Sequence, residues 1–315
     1  MIGGVPQGSV IAAVLFIIFI NDLADFLNKK INIDDLKSIF LTLLFADDIL
    51  LIISSQFFEN LEIDTFIIMN FLLQWCKLNG VDFSDEKTKY LLVNRRVQQM
   101  PSVNFRVLVG ETEIEQVEVL KYLGILMDEK LKFNKHVDKV KSKLHSAIFV
   151  LKVLSKFCNK DLLLLAYHAL FGSHINYCSS SLAFTSNKKI NEILILQKKA
   201  IRSIFKLSYD ASCKEYFIES QVLTFPGCII FNYIKLLKNK LSLVEGDVQT
   251  CYKTRNNKIS TLMKQGEYLM KACKFFNKLP SAVKNGNMCD PSFLKNVKKI
   301  LIAKAPYSIR EFLEN

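Results

Sequence analysis

Two adjacent aspartates, Asp47 and Asp48, stand at the centre of residues 39–53, a run that is otherwise apolar except for Thr42. Two ionised carboxylates with apolar neighbours on both sides repel each other and are poorly solvated, so something must compensate them. A divalent cation is the usual compensation. The pattern predicts two strands over residues 40–53 that meet at Ala46-Asp47-Asp48, a hairpin turn whose carboxylates face a groove. Aspartates fixed at such a turn could hold Mg²⁺ for phosphoryl transfer. A plain turn is the alternative, because Asp is common in turns. A membrane span fits the run poorly, since two carboxylates at its centre are costly in lipid.

The start of the chain adds a second constraint. Gly4-Val5-Pro6-Gln7-Gly8-Ser9 leads into an apolar stretch over residues 10–20, which ends at Asn21-Asp22-Leu23. The segment reads as a turn, with Ser9 as a helix cap and residues 10–27 as a largely buried helix. A glycine-bearing turn before a helix lets backbone approach a phosphate or a sugar–base unit closely. There is no basic n-region, and the eleven apolar residues are too short to cross a bilayer. Neither a secreted chain nor a membrane partner is expected.

Further along, residues 61–78 read as a helix with Leu61, Phe66, Ile68, Leu72, Trp75 and Leu78 on its apolar positions, stopped by Gly80. Short strands are predicted near 89–93, 103–109 and 117–125, with turns at Gly110 and Gly124. After Asp128 the pattern becomes helical. Residues 136–157 form an amphipathic stripe of Val137, Val140, Leu144, Ala147, Leu151 and Leu154. Helices follow at 162–171 and 190–205, more helices from 208 onward, and an exposed basic loop at 251–260.

These segments resemble the reverse transcriptases of non-LTR retrotransposons, most closely the jockey-like group of animal genomes. The resemblance rests on the Pro6-Gln7-Gly8 box with Leu15-Phe16 and Asn21-Asp22-Leu23, and on Phe45-Ala46-Asp47-Asp48 about forty residues later. Trp75, Leu78-Asn79-Gly80, Lys87-Thr88, Lys121-Tyr122-Leu123-Gly124, Asp128, Leu131, His136, Tyr177, Gln197-Lys198-Lys199-Ala200, Arg202 and Phe276-Asn277-Lys278-Leu279-Pro280 extend it over nearly the whole chain. The resemblance implies an α+β fold: a partial polymerase palm over 1–128, an antiparallel sheet with helices, then an all-helical thumb over 129–207 and helical C-terminal region over 208–315. It implies RNA-directed DNA polymerisation with Mg²⁺. Asp47 and Asp48 are then the metal-binding catalytic pair. Pro6, Gln7, Gly8, Ser9 and Lys87 lie beside the incoming nucleotide and template, and Tyr122, Leu123 and Gly124 hold the primer end.

In such enzymes a further metal-binding aspartate precedes the Pro-Gln-Gly box. Only five residues precede Pro6 here, none of them acidic. The chain is therefore expected to begin inside the palm, N-terminally truncated, with its two-metal site incomplete and its polymerase activity lost. Smaller departures are Ala12-Ala13 in place of Ser-Pro, Phe19 in place of Tyr, and the 182–184 region where a Trp is usual.

Charge divides the chain. Residues 1–100 hold eight basic and twelve acidic residues, and the remainder holds 34 and 18. Between residues 130 and 156 there are eight lysines and one acid, Asp138. Lys-rich helices can be simply solvated, but a basic helical part after the palm also suits contact with a phosphate backbone. Lys139, Lys141 and Lys143 are the named candidates, with an RNA template and an RNA–DNA duplex as partners. The eight cysteines form no Cys-x-x-Cys pair and the four histidines no zinc-finger spacing. No zinc finger is expected, and reduced thiols point to the cytoplasm or nucleus. The competing functional reading is a non-catalytic nucleic-acid-binding remnant that uses the basic helices. A purely structural remnant is the third.

Overall fold

The computed structural model describes residues 9–30, 36–94, 105–177, 179–242, 251–253, 259–261, 267–284 and 290–314. The chain divides into two compact units, Met1–Leu120 and Lys121–Asn315.

The first unit opens with helices α1 (Val10–Ile20) and α2 (Asp22–Lys30). An antiparallel hairpin of β1 (Ile39–Phe45) and β2 (Asp48–Ser54) follows, then the long helix α3 (Phe58–Leu78). Strands β3 (Lys89–Tyr90), β4 (Val107–Val109) and β5 (Thr112–Gln116) form a separate three-stranded sheet in the order β3-β5-β4. Strand β6 (Val119–Tyr122), which runs into the second unit, pairs there with β7 (Ile125–Asp128). The core of this unit gathers Leu23, Leu27, Ile68, Leu72 and Trp75 against Phe105, Val107, Val109 and Ile114. Helix α3 forms because its apolar positions recur at helical spacing, and it stops where Gly80 takes φ +64°.

The unit is mixed helix and sheet, as expected, but three details differ. Over residues 1–128 the expected single antiparallel sheet is instead three small ones, and β3 pairs with β5 in parallel. The chain between those two strands is long enough to cross over and return in the same direction. The largely buried helix expected over residues 10–27 is instead α1 and α2, and α1 is mostly open: Ile11, Val14, Leu15, Ile17, Ile18 and Phe19 are all exposed. A stretch that is apolar on every side carries no sidedness, so it cannot show which residues find a partner. Each side chain left in water forgoes roughly 1.5–3 kcal/mol of burial. Finally, Ile11–Lys30 is long and apolar enough to cross a membrane by length and composition. Its second half carries Asp22, Asp25, Lys29 and Lys30 and anchors the core through Leu23 and Leu27.

The second unit is built on α4 (Asn134–Leu154), α5 (Lys160–Tyr167), a π-helical turn (His168–Gly172), α6 (Ser173–Asn176), α7 (Ser179–Leu182) and α8 (Asn187–Phe205). Helices α9 (Lys214–Glu219), α10 (Phe225–Ser242), α11 (Glu267–Asn277), α12 (Ser281–Lys284), α13 (Ser292–Lys304) and α14 (Ile309–Glu314) complete it. The part expected to be all-helical also contains a short antiparallel pair, β8 (Cys251–Lys253) with β9 (Ile259–Thr261). It falls within the expected basic loop, where Tyr252, Ile259 and Thr261 suit a pleated strand. The core is one continuous cluster in which α4, α8 and α10 bury Val137, Leu144, Ile193, Ile201, Ile229 and Ile234.

A buried polar hub fixes the centre of this unit. Gln197 is fully buried, donates to Tyr167 Oη (2.9 Å) and to the Leu223 carbonyl (2.8 Å), and accepts from Phe225 N (2.7 Å). Removing one partner would strand a buried polar group at about 1–3 kcal/mol. Burial pushes the Tyr167 phenol well above its ordinary range and the Cys228 thiol up to about 12. Both stay neutral packing groups.

Candidate catalytic turn and nucleic-acid interface

The aspartate pair lies on the tip of the β1–β2 hairpin. Phe45 pairs with Asp48, so Ala46 and Asp47 form a two-residue loop. Ala46 has φ +50° and Asp47 is not left-handed, the sign pattern of a type II′ turn. That first position favours glycine, and a non-glycine residue there stores strain of about 1–3 kcal/mol. Both carboxylates are exposed, and neither has an ion-pair partner among the described residues. Exposure changes the expected electrostatics. The pair is not buried among apolar neighbours, because the hairpin's flanking residues are themselves partly open, so both carboxylates are accessible to water or to a cation.

The residue chemistry fits a hard cation in part. Two carboxylates on one tight turn offer the oxygen donors Mg²⁺ takes. Among the described residues, however, no group of three or more His, Cys, Asp or Glu side chains converges to hold a metal. Asp47 and Asp48 thus form a pair that a further donor would have to complete.

Other expected nucleotide-site residues are placed unevenly. Pro6, Gln7 and Gly8 lie outside the described residues. Ser9 precedes α1 with extended backbone; its carbonyl accepts from Ala12 N (3.2 Å), but its side chain makes no capping hydrogen bond. Lys87 is exposed in the turn before β3, where Thr88 N and Oγ1 both donate to the Ser84 carbonyl.

Tyr122-Leu123-Gly124 is a second tight turn. Leu123 (φ +45°) and Gly124 (φ +82°) are both left-handed, the type I′ pattern that joins β6 to β7. The Tyr177 hydroxyl donates to the Leu123 carbonyl. Tyr177 follows α6, just past the π-helical turn, whose wider winding re-aims the helix end. This anchor has no sequence signal of its own beyond the tyrosine.

At the end of β7, Asp128 organises the entry to α4. Its carboxylate accepts from Lys132 N (2.8 Å) and Asn134 N (3.1 Å). Leu131 and Phe133 adopt left-handed backbone in the same loop, and Phe133 has no side-chain cap to offer. Asp128 therefore caps the helix from a distance.

The three candidate lysines of α4 separate. Lys139 and Lys143 are exposed on one face, four residues apart. Lys141 points elsewhere and is half-buried, with its ammonium 2.6 Å from Glu192 and 3.8 Å from Asp138. The Glu192 hydrogen bond raises the Lys141 pKa and lowers that of Glu192. Lys189 of α8 also binds Asp138, at 2.8 Å. Lys141 thus joins α4 to α8. His136, on the buried side, accepts from Leu126 N (3.4 Å); burial first, and Lys139 second, lower its pKa.

Residues 2–127 match the reverse transcriptase (RNA-dependent DNA polymerase) family. Over this segment the chain is similar to that family. Among similar proteins are the RNA-directed DNA polymerase from mobile element jockey of Drosophila melanogaster, 25% identical over 204 residues, and the probable RNA-directed DNA polymerase from transposon X-element of the same species, 23% over 205. Another is the jockey polymerase of Drosophila funebris, 22% identical over 204 residues. Each alignment covers 64% of this chain, and 22%, 21% and 22% of the respective relatives. The resemblance to non-LTR retrotransposon reverse transcriptases therefore extends past the family segment, while the chain spans about a fifth of its relatives' length. No solved structure matches the chain significantly.

Proposed function

We propose that this chain is the palm and thumb portion of a non-LTR retrotransposon reverse transcriptase, and that it engages an RNA template paired to DNA. The observation that carries the reading is the two-residue hairpin turn that presents Asp47 and Asp48 together to solvent, inside the segment matched to the family. In this reading residues 1–128 are the palm, 129–207 the thumb, and 208–315 a mostly helical region beyond it.

Asp47 and Asp48 would hold Mg²⁺, which when bound neutralises phosphate charge and activates the attacking hydroxyl in nucleotidyl transfer. The two-residue turn sets the two aspartates next to each other at the exposed tip of the hairpin. The Leu123-Gly124 turn presents backbone to the primer end, and Tyr177 keeps that backbone in place. Lys139 and Lys143 supply sequence-independent attraction to phosphates. A complete two-metal centre needs a further carboxylate from outside the described residues.

The test is Mn²⁺ titration of the whole chain, read by paramagnetic broadening of NMR signals. Broadening centred on residues 45–50, lost in Asp47→Asn with Asp48→Asn, is the expected result. Broadening unchanged by both substitutions would overturn the catalytic-turn reading and favour a binding remnant.

A further inference from the structure

Between α6, α7 and α10 runs an open groove of about 290 Å³, lined by Asn176, Ser179, Ser180, Asn232, Lys235 and Asn239 with Leu236 at its edge. Its chemistry is one-sided. Three amides, two hydroxyls and one ammonium face it, and no carboxylate lines it. The floor is braced, since Asn232 Nδ2 donates to the buried Ser179 Oγ at 2.5 Å. Amides, hydroxyls and ammonium groups can all donate to phosphate oxygens, and the amide and hydroxyl oxygens can accept from a sugar hydroxyl. An open groove admits a chain that passes through, where a closed pocket would admit only a small molecule. Asn176 immediately precedes Tyr177, so the groove shares a helix end with the residue that anchors the Leu123-Gly124 turn.

We propose that this groove is a binding site for the sugar–phosphate backbone of the nucleic-acid strand held at the Leu123-Gly124 turn. The proposal rests on the polymerase-type reading above and adds a second backbone site to the lysines of α4. It contacts one or two phosphates through Lys235 and the neighbouring amides, without reading bases.

The experiment measures binding of an RNA–DNA duplex to the whole chain by fluorescence anisotropy across a salt series. It compares the unmodified chain, Asn176→Asp with Lys235→Glu, and Lys139→Gln with Lys143→Gln. Asn176 and Lys235 are exposed, so the groove variant should keep its melting temperature. The expected result is at least a tenfold loss of affinity in the groove variant, with the slope of log K against log salt flatter by about 0.9 for each phosphate no longer neutralised. If the groove variant binds as the unmodified chain does while the α4 variant is weakened, the groove proposal is overturned and the nucleic-acid reading stands. A loss of affinity that accompanies a lowered melting temperature with an unchanged slope also overturns it. If the unmodified chain binds no duplex, the underlying functional reading fails together with the groove.

Discussion

The hydroxyl of Tyr177 donates to the backbone carbonyl of Leu123, 54 residues earlier in the chain, and its ring lies beside Gly124. A methyl group on Gly124 would sit 3.9 Å from Tyr177 Cε1, an ordinary contact. Space is therefore not what requires glycine; the backbone at φ +82° is. Gly124→Ala is expected to cost about 1–2 kcal/mol through that backbone alone. Tyr177→Phe is expected to cost about 0.5–1.5 kcal/mol by removing one hydrogen bond. Urea unfolding with an unchanged m-value measures both. A neutral Tyr177→Phe would mean that the turn holds itself.

Asp128 substitutes for a missing cap. Replacing it by alanine frees two backbone N–H groups, Asn134 at the start of α4 and Lys132 in the loop before it, and is expected to destabilise the second unit by about 0.5–2 kcal/mol. The check is the shift in denaturation midpoint, with Asp128→Asn, which keeps an oxygen acceptor, losing less. Equal losses for the two variants would show that charge, not hydrogen bonding, does the capping.

The α4 lysines should divide by role. Lys139→Gln with Lys143→Gln should flatten the salt dependence of duplex binding by about 1.8 in slope, the equivalent of two phosphates, and leave stability alone. Lys141→Gln should do the reverse, loosening α4 from α8 with little change in slope. A Lys141 variant that alters the slope as much as Lys139 or Lys143 would refute this division.

His136 gives the second unit a pH response. Its pKa is depressed in the folded state, chiefly by burial, below the ordinary value of about 6.5. The unfolded chain then binds more protons, so the stability it contributes is intact above pH 6.5 and is lost as pH falls below it. Melting temperature should drop between pH 7 and pH 5, and His136→Gln should reduce the drop while keeping an acceptor for Leu126 N. Some drop should persist, since burial and Lys298 lower His168 as well. An identical drop in the variant would exclude His136 as a source.

The hairpin was legible because everything that defines it is local: two apolar runs with a short polar break between them. Charge alone groups Lys139, Lys141 and Lys143; the ion pair of Lys141 with Glu192 separates it from the other two, as residues two apart on a helix face different ways. The exposure of α1 was not legible, because an apolar stretch without sidedness reads the same whether or not it is covered. Nor was the hydrogen bond from Tyr177 to Leu123, or the Gln197 hub. Each depends on elements brought together across dozens of residues, and Gln197 lies in a segment whose Lys198 and Lys199 invite a surface reading.

Incorporation of nucleotides onto a DNA primer annealed to an RNA template, with Mg²⁺ or Mn²⁺, tests the central claim most directly. The claim is that Asp47 and Asp48 form part of a polymerase centre whose further carboxylate none of the residues of this chain supplies. The expected result is that the 315-residue chain binds the duplex and does not extend the primer. Robust extension by this chain alone, abolished by Asp47→Asn, would contradict it.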